Sequence, residues 1–276
     1  MLRTLVRRFV VFCQCLIPLV GFFHCAGRQP QTQGQIEFVT IEEELRLGEE
    51  LRSFTIQHLN IIRNRALGHY FSDMAQKLGA VSHWQGLDYT IFIINEPDVN
   101  HFSLPGGNIY LFRGLIETAE TPHEVAAVIA HEIAHLSRRD AVSRMAEKYG
   151  FALAAQDVMG SNPEIAQHII ASLYKEGTIL DYPMQNEYIA DEYALEYLQD
   201  AHYDPAGLLD ILQTFQQVKE QQPQRLQLLL FTHPPIASRL KQVQNHLEAM
   251  AAFTNDRVLP DSTFLELKKT LSRIPR

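Results

Sequence analysis

The chain has 276 residues, of which 46% are hydrophobic and 20% are charged, an ordinary balance for a globular protein with an apolar core. Its formal net charge is −8. Because affinity for a phosphate backbone depends on Lys and Arg, this acidic balance argues against a nucleic-acid partner. The three cysteines are Cys13, Cys15 and Cys25. The chain beyond them can form neither a disulfide nor a thiolate metal site, so a metal there must be held by His and carboxylate.

Residues 1–27 have the pattern of an export signal. They contain no acidic residue and three arginines, Arg3, Arg7 and Arg8. An apolar stretch follows from Phe9 to Phe23, which is short for a membrane span and typical of a secretory signal. We therefore predict an exported protein with a cleaved signal peptide. An uncleaved N-terminal anchor, which would associate the protein with a membrane, and lipid attachment at Cys25 are the alternatives.

The body of the chain is predicted to be α+β. Residues 28–39 are rich in Gln, Pro and Gly and are expected to form a linker. Apolar periodicity predicts helices at 40–60 and 68–81. β-Branched and apolar runs then predict three short strands, at Tyr89–Asn95, Phe102–Leu104 and Ile109–Phe112.

A Pro-Gly-Gly-Asn turn at 105–108 would join the second and third strands. Beyond Thr121 the chain is predicted to be mostly helical, with helices at 184–198, from 204, at 234–250 and past Phe253. The Gln-rich segment Gln216–Gln227 is expected to be a loop or a frayed helix. The expected fold is therefore mainly helical with one small β-sheet.

An HExxH motif lies on the predicted helix that begins at Thr121. Thr121 and Pro122 form a helix start, and apolar residues recur behind them at helical spacing. Residues four apart on a helix differ by about 40° around the axis, so His131 and His135 leave one face and can meet one metal ion. Glu132 would border that ion as a general base. The alternative is a pair of core histidines beside a buried charge.

A catalytic zinc needs a third protein ligand and an open fourth position. Glu187 is the candidate for this ligand. Asp191, four residues later, shares its helix face and would orient one imidazole through the distal ring N–H. The small Ala190 would let this helix approach the first one closely. From spacing alone, a solvated acidic face made of Glu187, Asp191 and Glu192 explains the same residues equally well.

These motifs resemble those of the zinc metallopeptidases that include the CAAX prenyl protease, the Oma-type mitochondrial peptidases, HtpX and the periplasmic BepA-like proteases. The resemblance rests on HEIAH at 131–135 and, about fifty residues later, ExxAD at 187–191. The segment Asn100–Ile109 is similar to the family's NAFxxPGG, with His101 where Ala is usual. Tyr203–Pro205 is similar to its GYDP, and Thr232–Pro235 to its THPP.

The resemblance covers residues 40–247 in the expected order, with two further departures. Pro183 and Met184 stand where the family often has Ser-Arg, and Ile189 stands where a Glu is usual. The likeness implies a zincin-like metallopeptidase domain over 40–250, followed by a C-terminal helical tail at 251–276. It also implies one Zn²⁺ per chain and a β-sheet at the rim of the active-site cleft.

The resemblance assigns roles to individual residues. It implies that His131, His135 and Glu187 bind the metal and that Glu132 is the base. It implies that His233 stabilises the oxyanion or blocks the open metal position at rest; a helix-start histidine bonded to backbone is the alternative. The strand expected to pair with an extended substrate comprises Asn100, His101, Phe102, Ser103 and Leu104. For Asn100, a turn residue without further role is the alternative.

The predicted function is metal-assisted hydrolysis of peptide bonds by an exported endopeptidase. The family likeness implies unfolded or misfolded envelope proteins as substrates and a location in the periplasm or on the periplasmic face of a membrane. A chaperone or assembly factor with latent proteolysis is the alternative, because the same cleft would hold extended chains. A structural zinc site is a weaker alternative, since such sites are closed by four ligands.

Overall fold

The computed structural model describes residues 39–149, 182–233, 236–250 and 262–276. The predicted signal peptide lies outside the described residues, as does the predicted linker except for Val39. Within the described ranges, no helix combines the length and the apolar character needed to cross a membrane.

The described residues form a mainly helical α+β fold, as the sequence predicts. The helices before the HExxH segment are α1 (Ile41–His58), α2 (Arg65–Val81) and α3 (Arg113–Thr118). The HExxH helix is α4 (Pro122–Ser137), followed by α5 (Asp140–Tyr149). The later helices are α6 (Met184–Asp200), α7 (Ala206–Gln221), α8 (Gln227–Thr232), α9 (Ile236–Ala249) and α10 (Ser262–Ser272), with a 3₁₀ turn at Pro223–Leu226. The strands are β1 (Thr90–Ile94), β2 (His101–Leu104) and β3 (Asn108–Phe112).

The three strands form one sheet in the order β1-β3-β2. Strand β1 is parallel to β3, and β2 is antiparallel to it. Gly106 and Gly107 have φ angles of 77° and 83° and make the tight turn between β2 and β3, as the Pro-Gly-Gly-Asn sequence predicts. Strand β2 lies at the edge of the sheet, and β3 is its only strand partner within the described part of the chain.

The sheet lies between two apolar clusters. Because successive side chains of a strand point to opposite faces, β2 is divided between them. Phe102 and Leu104 join the smaller cluster with Leu47 and Leu51 of α1. His101 therefore faces the other side, toward the main core that surrounds α4. This alternation aims one polar side chain of the edge strand at the HExxH helix.

Helix α4 is buried along almost its whole length. Its start is fixed by a capping box, in which the Thr121 side chain accepts from the Glu124 N–H and Glu124 accepts from the Thr121 N–H. Helix α6 packs against it, and the fully buried Ala190 and Ala194 permit a close approach. The two helices that carry the predicted metal-site residues are therefore direct neighbours.

The chain turns sharply after α4. Arg139 has φ 58°, and its guanidinium donates to Glu44 Oε2 at 2.5 Å and to the Val39 carbonyl at 2.7 Å. This buried pair ties the start of α1 to the end of the HExxH helix. Helix α5 begins right after this turn at Asp140, whose side chain lies beside His135.

Three local predictions differ from the structure. Helix α2 begins at Arg65, earlier than predicted, because the Asn64 side chain caps it by accepting from the Leu67 N–H. The predicted loop or frayed helix at Gln216–Gln227 is wrong over its first half, since α7 continues regularly to Gln221. Glutamine is a good helix former, and Phe215 anchors this part of α7 in the core. The short helix α3 was not predicted.

Candidate metal centre

Three donor groups converge between α4 and α6. The Nε2 atoms of His131 and His135 lie 3.1 Å apart. The Glu187 carboxylate places Oε2 3.6 Å from His131 Nε2 and Oε1 3.3 Å from His135 Nε2. All three side chains are at most 1% exposed. Together with His233 they form a buried group whose donor atoms lie within 4.8 Å of one another.

These separations fit a tetrahedral zinc ion. Ligands at about 2.0–2.1 Å from a tetrahedral metal lie about 3.3–3.4 Å from each other. The separations of 3.1, 3.3 and 3.6 Å bracket that value, with each Glu187 oxygen facing one imidazole. Two imidazole nitrogens and a carboxylate oxygen are also an established donor set for catalytic zinc. The residues present therefore fit the metal that the sequence predicts.

Carboxylates behind both imidazoles set their orientation. His131 Nδ1 lies 2.9 Å from Asp191 Oδ1, and His135 Nδ1 lies 2.8 Å from Asp140 Oδ2. A carboxylate accepts a hydrogen bond, so each Nδ1 carries the proton. Each Nε2 is thereby turned toward Glu187, where it would offer its lone pair to a bound ion. Without an ion, a proton on one Nε2 makes the 3.1 Å contact between the two rings a hydrogen bond.

Arg239 of α9 completes the buried charge balance. Its guanidinium donates to both oxygens of Asp191, at 2.7 and 2.8 Å, and its Nη1 lies 3.1 Å from Glu187 Oε2. Glu187 and Asp191 are both fully buried, whereas Glu192 is exposed. The alternative of a solvated acidic face is therefore excluded for the first two residues.

The pKa values of these groups reflect the same contacts. Burial alone would raise the pKa of Glu187, but the interactions with His233 and Arg239, together with hydrogen bonds to the two imidazoles, outweigh burial and hold it well below its usual range. Burial alone would lower the pKa of His135, but its hydrogen bonds to Asp140 and Glu187 outweigh burial and raise it to about 10. The centre thus strongly favours positive charge at the point where the donors meet.

Glu132 lies beside the three donors and is fully buried. Its Oε1 is 2.5 Å from His101 Nδ1, on the edge strand. Its Oε2 has no hydrogen-bond partner among the described residues. Burial would raise the pKa of Glu132, but the hydrogen bond with His101 and the nearby imidazoles outweigh it and lower the pKa. The carboxylate is therefore ionised, with one oxygen held and the other available as a proton acceptor.

His233 stands at the end of α8 and faces both carboxylates of the centre. Its Nδ1 lies 3.0 Å from Glu187 Oε1, and its Nε2 lies 3.7 Å from Glu132 Oε1. The ring is 1% exposed. Its contacts are with these side chains, in addition to the helical bond from its own N–H to the Leu229 carbonyl. The alternative that His233 is a helix-start histidine bonded only to backbone is therefore wrong.

The predicted substrate strand lies at the rim of this centre, but its edge is covered. All five of its residues are at most 2% exposed: Asn100, His101, Phe102, Ser103 and Leu104. The Phe112 N–H donates to the Asn100 carbonyl at 3.0 Å, which extends the pairing with β3 by one residue. An extended substrate could pair with the outer edge of β2 only once that edge becomes accessible.

Sequence reasoning missed three contributors to the centre. Asp140 follows the HExxH helix directly, so its position was the available signal. Tyr182 lies two residues before α6, and its ring stacks on His135 with centroids 4.1 Å apart. Arg239 had no local signal, because nothing in α9 reveals that its guanidinium reaches Asp191, 48 positions earlier in the chain.

The fold and the site together define the class of metallopeptidases, in which an HExxH helix brings two imidazoles and a carboxylate base to one point. Comparison with known sequences agrees and is more specific. The model of peptidase family M48 matches residues 62–247, and the chain belongs to that family. The family is one of metal-dependent peptidases, so the described residues form a metallopeptidase domain.

Several relatives are similar over part of their length. The beta-barrel assembly-enhancing protease of Yersinia pestis is 24% identical over 225 residues, which are 77% of this chain and 45% of that protein. The mitochondrial metalloendopeptidase OMA1 of Schizosaccharomyces pombe is 26% identical over 181 residues, 64% of this chain and 52% of that protein. The OMA1 of Arabidopsis thaliana is 33% identical over 130 residues, 46% of this chain and 25% of that protein. The chain spans about half the length of the first two relatives.

Replacing Asp140 by Ala tests whether this carboxylate orients His135. Removing a carboxylate behind a metal-binding imidazole typically weakens metal affinity by about 10–100-fold. We expect that loss for zinc in Asp140→Ala, measured by competition with a chromophoric chelator. Glu192→Ala is the matched control, because Glu192 is an exposed carboxylate next to Asp191. Equal zinc affinity in the wild type and Asp140→Ala would contradict the orienting role.

Proposed function

We propose that this chain is a zinc-dependent endopeptidase whose ion is held by His131, His135 and Glu187. The observation that supports this most strongly is the spacing of the donor atoms of these three side chains, 3.1 to 3.6 Å, in a site where both imidazoles are oriented by carboxylates. Zinc is favoured over Mg²⁺ or Ca²⁺ because those ions prefer sets of oxygen ligands. One ion per chain is proposed.

The proposed chemistry divides between the ion and Glu132. When bound, zinc polarises a scissile carbonyl and lowers the pKa of a water molecule toward about 7. Glu132 takes the proton of the attacking water on Oε2, the oxygen that has no partner among the described residues. It then delivers this proton to the leaving nitrogen. Glu132 is ionised, so this unpartnered oxygen is able to accept the proton.

Asp191 and Arg239 are proposed to hold the ligands in place. Asp191 fixes His131 through Nδ1 and is itself fixed by both arms of the guanidinium. The same guanidinium contacts Glu187, which keeps that carboxylate ionised and aimed at the imidazoles. The edge strand β2 is proposed to pair with an extended substrate through main-chain hydrogen bonds, which would give affinity with little sequence preference.

The biological role is proposed from the relatives. Two of them are named as a beta-barrel assembly-enhancing protease and a mitochondrial metalloendopeptidase. We propose that this chain acts on unfolded or misfolded proteins of the cell envelope, in the periplasm or on the periplasmic face of a membrane. The N-terminal segment would provide export and, if it is retained, attachment to the membrane. A chaperone or assembly factor with latent proteolysis is the second candidate; it is favoured by the buried group of four donors, in which His233 would close the ion's open position and keep proteolysis latent.

Replacing Glu132 by Gln separates the two candidates. A general base contributes about 10²–10⁴-fold to rate, so Glu132→Gln should cut cleavage of an unfolded casein by that factor while zinc remains bound. A chelator should abolish cleavage by the wild type, and added zinc should restore it. Glu192→Gln, a carboxylate change on the exposed face of α6, should cleave normally. Equal cleavage in all of these samples would contradict the peptidase function and leave the chaperone as the remaining candidate.

Replacing His233 by Ala tests whether this histidine is a fourth zinc ligand in the resting enzyme. Four protein ligands close a zinc site, whereas a catalytic site keeps one position open. The inclusion of His233 in the buried donor group supports the closed arrangement. We therefore expect His233→Ala to keep one zinc per chain and to cleave casein faster than the wild type. Slower cleavage with zinc retained would instead make His233 the oxyanion stabiliser.

A further inference from the structure

His101 is the one polar side chain by which the edge strand touches the general base. Its Nδ1 lies 2.5 Å from Glu132 Oε1, and both side chains are at most 2% exposed. A glutamate on a helix has three rotatable torsions, so a carboxylate that faces a cavity needs a partner to fix it. The structure supplies that partner from a different element, the sheet.

The His101 ring is itself firmly placed. Its backbone belongs to β2, where His101 pairs with Leu111 of β3. The ring stacks toward Phe215 of α7, with centroids 6.2 Å apart and planes inclined by 23°. On another side it contacts His233, with centroids 4.7 Å apart. Sheet pairing and ring packing together leave Nδ1 aimed at a single acceptor.

The contact is a hydrogen bond rather than part of a second metal site. His101, Glu132 and His233 form a second buried group of donors. Two ligands of one tetrahedral zinc lie about 3.3 Å apart, however. The 2.5 Å between His101 Nδ1 and Glu132 Oε1 is a donor–acceptor distance for a charge-assisted bond.

We infer that His101 is a positioning residue, whose Nδ1–H holds Oε1 of Glu132 and so directs Oε2 toward the attacking water. This rests on the proposed peptidase function. It explains why one oxygen of a fully buried carboxylate is bonded while the other has no partner among the described residues. The hydrogen bond also links substrate binding to the general base, because a substrate that pairs with β2 would contact the strand that carries His101.

The test compares two replacements of His101 in the full chain. Asn retains an N–H donor close to the position of Nδ1, whereas Leu fills similar space without a donor. A hydrogen bond to a charged group that acts only in the transition state should appear in kcat, so His101→Leu should lose about 10–100-fold in kcat with KM little changed. His101→Asn should recover most of that loss. Zinc content should stay at one per chain in all three proteins.

Three results would overturn the inference. An unchanged kcat in His101→Leu would show that the base needs no such partner. Equal losses in the Asn and Leu variants would show a packing role. Two zinc ions in the wild type and one in His101→Leu would make His101 a ligand.

A second measurement does not depend on activity. Long-range ¹⁵N NMR of histidine, with the His101 signals assigned by their loss in His101→Asn, should show a proton on Nδ1, the less common site in a free neutral imidazole. A neutral ring protonated at Nε2 would contradict the hydrogen bond. If the wild type does not cleave casein, the proposed function fails, and the tautomer still decides whether His101 holds Glu132.

Discussion

Two fully buried carboxylates, one helical turn apart on α6, are the constraint on which the centre depends. An isolated buried charge is very costly, and removing one partner of a buried pair typically costs about 3–5 kcal/mol. Glu187 and Asp191 can therefore be buried only where positive charge or N–H donors surround them. The imidazoles of α4 and the guanidinium of Arg239 provide these contacts. The same requirement explains why the site favours a divalent cation where the three donors meet.

The rest of the fold serves this arrangement. Small residues on α6 let it approach α4, and the turn at Arg139 returns Asp140 to the second histidine. Helix α9 follows the His233 segment and brings Arg239 under both carboxylates. The sheet contributes through its alternation, which buries Phe102 against α1 and turns the neighbouring side chain toward the general base. Each of these elements thus places a side chain at the metal centre.

The sequence predicts the parts of this centre that depend on local geometry. Helical spacing places His131 and His135 on one face, and the capping box at Thr121 marks the start of their helix; the structure has both. Spacing could not decide between a buried ligand and a solvated face for Glu187, because burial depends on which helices pack together. The roles of Asp140 and Arg239 were not predicted, because they also depend on contacts between different elements of the fold. The extension of α7 through Gln216–Gln221 shows helix propensity and an anchoring Phe215 overriding a composition typical of a loop.

A crystal structure of the zinc-loaded protein, with the metal located by anomalous scattering at the zinc edge, would show whether the two helices share one ion. We expect a single zinc about 2.0–2.2 Å from His131 Nε2, His135 Nε2 and a Glu187 oxygen, with Glu132 outside the coordination sphere. Zinc bound elsewhere, or bound to the two histidines while Glu187 remains paired only with Arg239, would contradict this expectation.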